Sequence, residues 1–225
     1  MKRSEINAIL RDSLAFLQRM NFILPPFAHW TPAQWRNCGP ECREIIAAQL
    51  GWDITDFGSG DFAKTGLFLF TLRNGSLQTG KPYAEKIMIS REGQITPTHF
   101  HFEKMEDIIN RGGGHLLIQV WNSTPAETLA TTPVTLATDG VERIVNAGVT
   151  IRLTPGESVT LPPRCYHKFW GETGQGPVLL GEVSRVNDDR TDNQFLEPTG
   201  RFPSITEDEA PLHLLVGDYA QYYRC

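Results

Sequence analysis

The sequence predicts an all-β protein, an antiparallel barrel or sandwich, with helices added at its N-terminal end. Three observations predict it. From about residue 62 onward, short runs of apolar residues are separated every few positions by Gly, Pro, Asn or Asp, and no long helical pattern intervenes. Three- and four-residue apolar spacing, the mark of a helix, is confined to the start of the chain. The length of 225 residues and the 40% hydrophobic content suit one sizeable core. Residues 1–60 are therefore expected to form a helical extension that packs on a barrel built from residues 61–225, with the last part of the chain wrapped around it.

Taken in order, Ser4 is placed to cap a helix running to about Met20, whose inner face carries Ile6, Ile9, Leu10, Leu14, Leu17 and Met20. Pro25 and Pro26 end it. Thr31 and Pro32 form an N-cap and first helical position for a short turn, and a second is expected from about Glu41 to Leu50, stopped by Gly51. The segments 66–75, 83–90, 94–102, 115–123, 134–140, 148–158, 158–172 and 177–188 read as strands, the first running into a tight Asn74-Gly75 turn. The tail from Asn187 is polar and then mixed, as befits a segment wrapping the barrel or a partner subunit.

Composition excludes several classes. The net charge of −5 and the absence of any Lys/Arg run leave no stripe for a phosphate backbone, so nucleic acid is not expected as a partner. No stretch approaches the ~20 apolar residues of a membrane span, and a cytoplasmic location is expected. Cys38 and Cys42 are spaced C-x3-C without a second matching pair, which argues against a structural zinc knot; together with Cys165 and Cys225 they are expected as reduced thiols.

The chemistry concentrates between Gly93 and Gly113. His99 and His101 stand at i and i+2 of a strand, so both imidazoles leave one face. Glu106 returns a carboxylate to them if the strand turns after Phe102, and Glu103, on the same i+2 face, competes for that role. Downstream, Pro162 and Pro163 place a bend before His167, which can then face back across a barrel. Three histidines and a carboxylate offer a set of three nitrogens and one oxygen with two positions left open, and manganese, iron, cobalt, nickel or zinc fits it. His29, His115 and His213 lack such partners and are read as surface or hydrogen-bonded structural side chains.

The run G-x5-H-x-H-x4-E-x6-G from Gly93 to Gly113 matches the first cupin motif at every fixed position, and G-x5-P-x-R-x2-H from Gly156 follows the second, with Arg164 where glycine is usual and Gly171 in place of a terminal asparagine. Through PTHFHFEKMEDIINRGGG, LPPRCYHKFWGE and GEVSRVNDDRTDNQF the chain further resembles the D-lyxose ketol-isomerase family. That resemblance implies a cupin jelly-roll barrel, one divalent metal per chain on His99, His101, Glu106 and His167, with manganese first in expectation, and interconversion of an unphosphorylated aldose and ketose. The reaction needs a base near carbon. Glu182, a carboxylate within the aliphatic strand LLGEVS, and Lys86 are the catalytic candidates. Lys104, Arg190 and Asp192 are candidates for sugar hydroxyls. A metal-dependent cupin dioxygenase and a sugar-binding regulatory cupin are the alternatives. A phosphosugar isomerase is disfavoured because no glycine-rich phosphate cradle is present. The edge strands of such a barrel need protection, so a homodimer is expected.

Overall fold

The computed structural model describes residues 1–78, 80–186, 191–200 and 203–223. Helices α1 (Arg3–Arg19), α2 (Pro32–Arg36) and α3 (Arg43–Ala47) come first. Strands β1 (Gly51–Thr55), β2 (Leu67–Arg73), β3 (Tyr83–Ser90), β4 (Thr96–His101), β5 (Glu106–Gly113), β6 (Leu116–Asn122) and β7 (Val134–Thr138) follow. Then come β8 (Val141–Val145), β9 (Thr150–Leu153), β10 (Ser158–Leu161), β11 (Cys165–Gly171), β12 (Val178–Arg185), β13 (Asn193–Phe195) and a final short helix, α4 (Tyr219–Tyr222).

Among the described residues the strands form two antiparallel sheets, one ordered β1-β2-β3-β12-β5-β10-β7-β8 and the other β13-β4-β11-β6-β9. The chain crosses repeatedly between them, as in the cupin jelly roll. Their inner faces enclose a core that includes Ile118, Val120, Leu136, Val159, Leu161, Phe169 and Leu180. A second core lies on the outside of the larger sheet, where Ile6, Leu10 and Leu17 of α1 pack on Phe68, Phe70, Ile87 and Leu179. Strands β2, β3 and β12 are thus covered on both faces, which explains why their sequences alternate only loosely.

Details of the N-terminal expectations change. Helix α1 is entered at Lys2, whose backbone N–H donates to the Glu5 carboxylate at 2.7 Å, while the Ser4 hydroxyl bonds Asp208 instead of capping. Thr31 does cap α2, accepting from the Gln34 N–H at 3.3 Å. Gly51 opens a strand rather than stopping a helix. Its φ of +124° and the Tyr219 hydroxyl lying where a Cβ would project both require glycine. Along β1 the side chains then alternate, Trp52 and Ile54 entering the outer core while Asp53 and Thr55 line the cavity described below. The thiol expectation is also corrected, because a single 3₁₀ turn at Pro40–Cys42 joins Cys38 and Cys42 in a disulfide with Cα atoms 6.3 Å apart. Cys165 is free and buried, and Cys225 lies outside the described residues.

The tail wraps back over the first helix. Lys2 bridges Thr206, Leu215 bridges Trp52, and the buried Arg3 guanidinium forks onto Asp218 (2.9 and 2.8 Å) and Glu207 (2.9 and 2.6 Å). No helix among the described residues is long and apolar enough to cross a membrane.

Candidate active site

The site forms where the two sheets face each other. In the smaller sheet β11 pairs with β4 so that His167 stands opposite His99. The register then slips, Phe169 meeting Thr96, and this bulge turns β4 so that Thr96, His99 and His101 all reach one cavity. Glu106 arrives from the larger sheet as the first residue of β5. The N–H groups of the turn that carries it across are taken by Asp192, Phe102 on its carbonyl (3.0 Å), Glu103 on Oδ1 (2.8 Å) and Lys104 on Oδ2 (3.2 Å).

That turn decides between the two candidate carboxylates. Glu103 faces solvent and pairs with Arg185 at 3.0 Å, its side chain 77% exposed. Glu106 is 3% exposed, and its Oε1 lies 3.4 Å from His101 Nε2 and 3.3 Å from His167 Nε2. One side-chain nitrogen from each of His99, His101 and His167 lies within 4.8 Å of the other two, close enough to hold one metal ion. His99 and His167 direct Nδ1 to the carbonyls of Pro97 (2.7 Å) and Cys165 (3.0 Å), which assigns the proton to Nδ1 and turns Nε2 inward.

A bound cation fits this set. Glu106 Oε1 and His101 Nδ1 are buried yet have no hydrogen-bond partner, and a buried acceptor without a partner costs about 1–3 kcal/mol or more unless something else satisfies it. Burial, followed by the neighbouring imidazoles, holds the His99 pKa well below its ordinary value; burial pushes His167 down to about 4. Burial opposes ionisation of Glu106, but the Lys104 ammonium, then His101 and His167, outweigh it and hold the carboxyl well below its usual range. Neutral imidazoles at His99 and His167 beside an ionised carboxylate are the protonation states that a divalent cation takes.

Next to this cluster lies a second group of charges. Glu182 on β12 stands opposite Lys86 on β3 and Ile108 on β5. Its Oε1 is 3.2 Å from Lys86 Nζ and accepts from Lys104 Nζ at 3.0 Å and from the Ser184 hydroxyl at 2.9 Å. Lys104 is shared, because its Nζ also lies 2.7 Å from Glu106 Oε2. The ammonium thereby separates two buried carboxylates that would otherwise repel each other. A cavity of about 650 Å³ opens from both groups, bounded further out by Asp53, Thr71 and Asn193.

The structure thus brings together His99, His101, Glu106, His167, Glu182, Lys86 and Lys104. Asp192 does not join them. Expected to meet sugar hydroxyls, its carboxylate is committed to the 102–105 turn and stands outside the cavity wall. Arg190 lies outside the described residues. Sequence reasoning does not single out Ser184 or Thr71, although Ser184 is two residues from Glu182 and therefore shares its face. His115 bonds Glu172 and His213 bonds the Trp30 carbonyl, structural roles as expected.

The fold is shared with L-ribose isomerases. That of Cellulomonas parahominis, solved with L-ribose, superposes with a TM-score of 0.59 at 15% identity over 92% of this chain and 98% of its own. The Geodermatophilus obscurus enzyme gives 0.62 at 14% identity over the same shares. Together the two sheets and the likeness to these structures define a cupin-type barrel. The family model for D-lyxose isomerase matches residues 1–219. The D-lyxose/D-mannose isomerase of Serratia proteamaculans is 51% identical, covering 99% of each chain, and that of Escherichia coli O157:H7 is 49% identical, covering 99% of this chain and 100% of its own. The chain belongs to the D-lyxose isomerase family, and its activity is that of an aldose–ketose isomerase.

Proposed function

We propose that the chain interconverts D-lyxose with D-xylulose and D-mannose with D-fructose through a cis-enediol, using one divalent metal held by His99, His101, Glu106 and His167. The observation that carries this reading is the pair of adjoining groups: a buried set of three histidines and a carboxylate with an unpartnered oxygen, and a buried Glu182 on whose Oε1 Lys86, Lys104 and Ser184 converge. The 51% and 49% identical relatives are D-lyxose/D-mannose isomerases, which supports the choice of sugars. Manganese is our expected ion, although the donor set also suits zinc, cobalt, iron or nickel. When bound, such an ion polarises the sugar carbonyl and acidifies the neighbouring hydroxyl.

The chain's own residues move the proton. In the aldose-to-ketose direction the Glu182 carboxylate takes the proton from C2 and returns it to C1 on the same face of the enediol, while the hydroxyl proton passes from O2 to O1. The Lys86 ammonium faces the oxyanion that develops between these steps. Lys104 Nζ sits between the Glu182 and Glu106 carboxylates, 3.0 Å from one and 2.7 Å from the other. We take the protein to work in the cytoplasm as a homodimer folded as one domain, a reading supported by its metabolic class and by the exposed edge strand β8.

An aldose panel tests the reading. Purified protein should form ketose from D-lyxose and D-mannose, lose that activity to a chelator and regain it with manganese; absence of ketose under every metal condition refutes it.

A further inference from the structure

The reacting end of the cavity is closed on one side. Among the described residues, β6, β7, β8, β9 and β10 contribute nothing to its wall, and the side chains of Ile118, Val120, Leu136, Leu153, Val159 and Leu161 fill that space as core. A sugar whose C1 and C2 lie between Glu106 and Glu182 can extend its tail across the larger sheet toward β3, β2 and β1, where the cavity continues past Lys86, Thr71 and Asp53.

Along that direction runs a row of polar side chains in strict register. Glu182 on β12 pairs with Lys86 on β3, and Lys86 pairs with Thr71 on β2. The next position, on β1, is Gly51, which has no side chain to offer. Thr71 is 6% exposed, lines the cavity, and its hydroxyl makes no hydrogen bond among the described residues. Its hydroxyl borders the cavity, and a ligand there can supply the hydrogen-bond partner. Its position is two strand spacings from Glu182, about 10 Å. Along that direction an extended six-carbon chain reaches one carbon further than a five-carbon one.

We infer that Thr71 is a specificity-determining residue, whose hydroxyl binds the C6 hydroxyl of an aldohexose and has no counterpart to bind on an aldopentose. This rests on the sugar isomerisation proposed above. D-Mannose repeats the configuration of D-lyxose at C2, C3 and C4 and adds a hydroxymethyl group at C5, so the two sugars differ only at the end that Thr71 faces.

The experiment compares kcat/KM for D-lyxose, D-mannose and 6-deoxy-D-mannose in the wild type, Thr71→Val and Thr71→Ser. Thr71→Val should lower kcat/KM for D-mannose about tenfold and leave D-lyxose within about twofold, with Thr71→Ser close to wild type. In the wild type, 6-deoxy-D-mannose should show the same tenfold loss, and Thr71→Val should add none. The D-lyxose rate reports that the variant is folded, and the 6-deoxy comparison in the wild type needs no variant. Equal losses on both sugars, or full wild-type activity on 6-deoxy-D-mannose, overturn the assignment of Thr71 alone. A wild-type enzyme that converts neither D-lyxose nor D-mannose overturns the substrate reading and this inference with it.

Discussion

Glu182 and Lys86 stand directly opposite each other on β12 and β3, and Glu182 Oε1 lies 3.2 Å from the Lys86 ammonium with both side chains less than a tenth exposed. A pair so buried is stable only while both charges are present. Placed beside the histidine cluster, it supplies a proton acceptor and a cation within one strand spacing.

Glu182→Gln removes the acceptor and keeps the shape. Turnover of D-lyxose should fall on the order of a thousandfold, within the range for loss of a general base, while metal content stays at the wild-type level. Steady-state rates and elemental analysis of the same preparation check both parts.

His101→Ala removes one of the proposed ligands and leaves Glu182 untouched. Metal affinity should drop at least about 100-fold, the upper end of what losing an outer partner of a ligand costs, and activity should vanish with it. Metal titration of the stripped variant beside the stripped wild type measures the loss.

Asp192→Ala releases two N–H groups of the turn that sets Lys104 and Glu106. A loss of about 2–4 kcal/mol in stability is expected from two charge-assisted bonds. Because Lys104 loses its place between the two carboxylates, kcat should fall about 10- to 100-fold with little change in KM. Asp192→Asn, which keeps one acceptor, should fall between. A direct sugar contact would raise KM instead.

Arg3→Met breaks the fork between α1 and the C-terminal segment and leaves Asp218 buried with the Leu215 N–H as its remaining partner. The melting temperature at neutral pH should drop on the order of 10 °C. Arg3 holds the Glu207 carboxyl below its ordinary value of 4.5, mainly by hydrogen bonding. A carboxyl with a depressed folded-state pKa contributes stability above its unfolded value and loses it as pH falls through the folded one. The wild type should therefore lose this contribution on acidification below about 4.5, and the variant should lack that part of the acid limb. Thermal unfolding between about pH 3 and pH 7 compares the two.

Much of this site is legible in the sequence because its residues obey simple periods. His99 and His101 share a face by the two-residue repeat, Glu106 and His167 sit at the spacing of a turn and a facing strand, and Glu182 declares itself as a carboxylate among aliphatics. Asp192 reads as a site residue, but a polar run does not reveal that its carboxylate accepts backbone N–H groups 88 and 89 residues away. β1 escapes a sequence reading because Gly51 looks equally like a helix stop, and only its contact with Tyr219 distinguishes the two. β5 carries too few apolar residues to look like a strand, and β8 is an edge with Val141 and Ile144 left exposed. The Lys86–Thr71 row depends on register, which forms only when the sheet does.

The most direct test of proton transfer through Glu182 is slow turnover of D-lyxose in D2O, with deuterium located by NMR in the D-xylulose formed. Solvent deuterium at C1 is the predicted result; its complete absence would contradict a carboxylate shuttle and favour a hydride shift between C2 and C1.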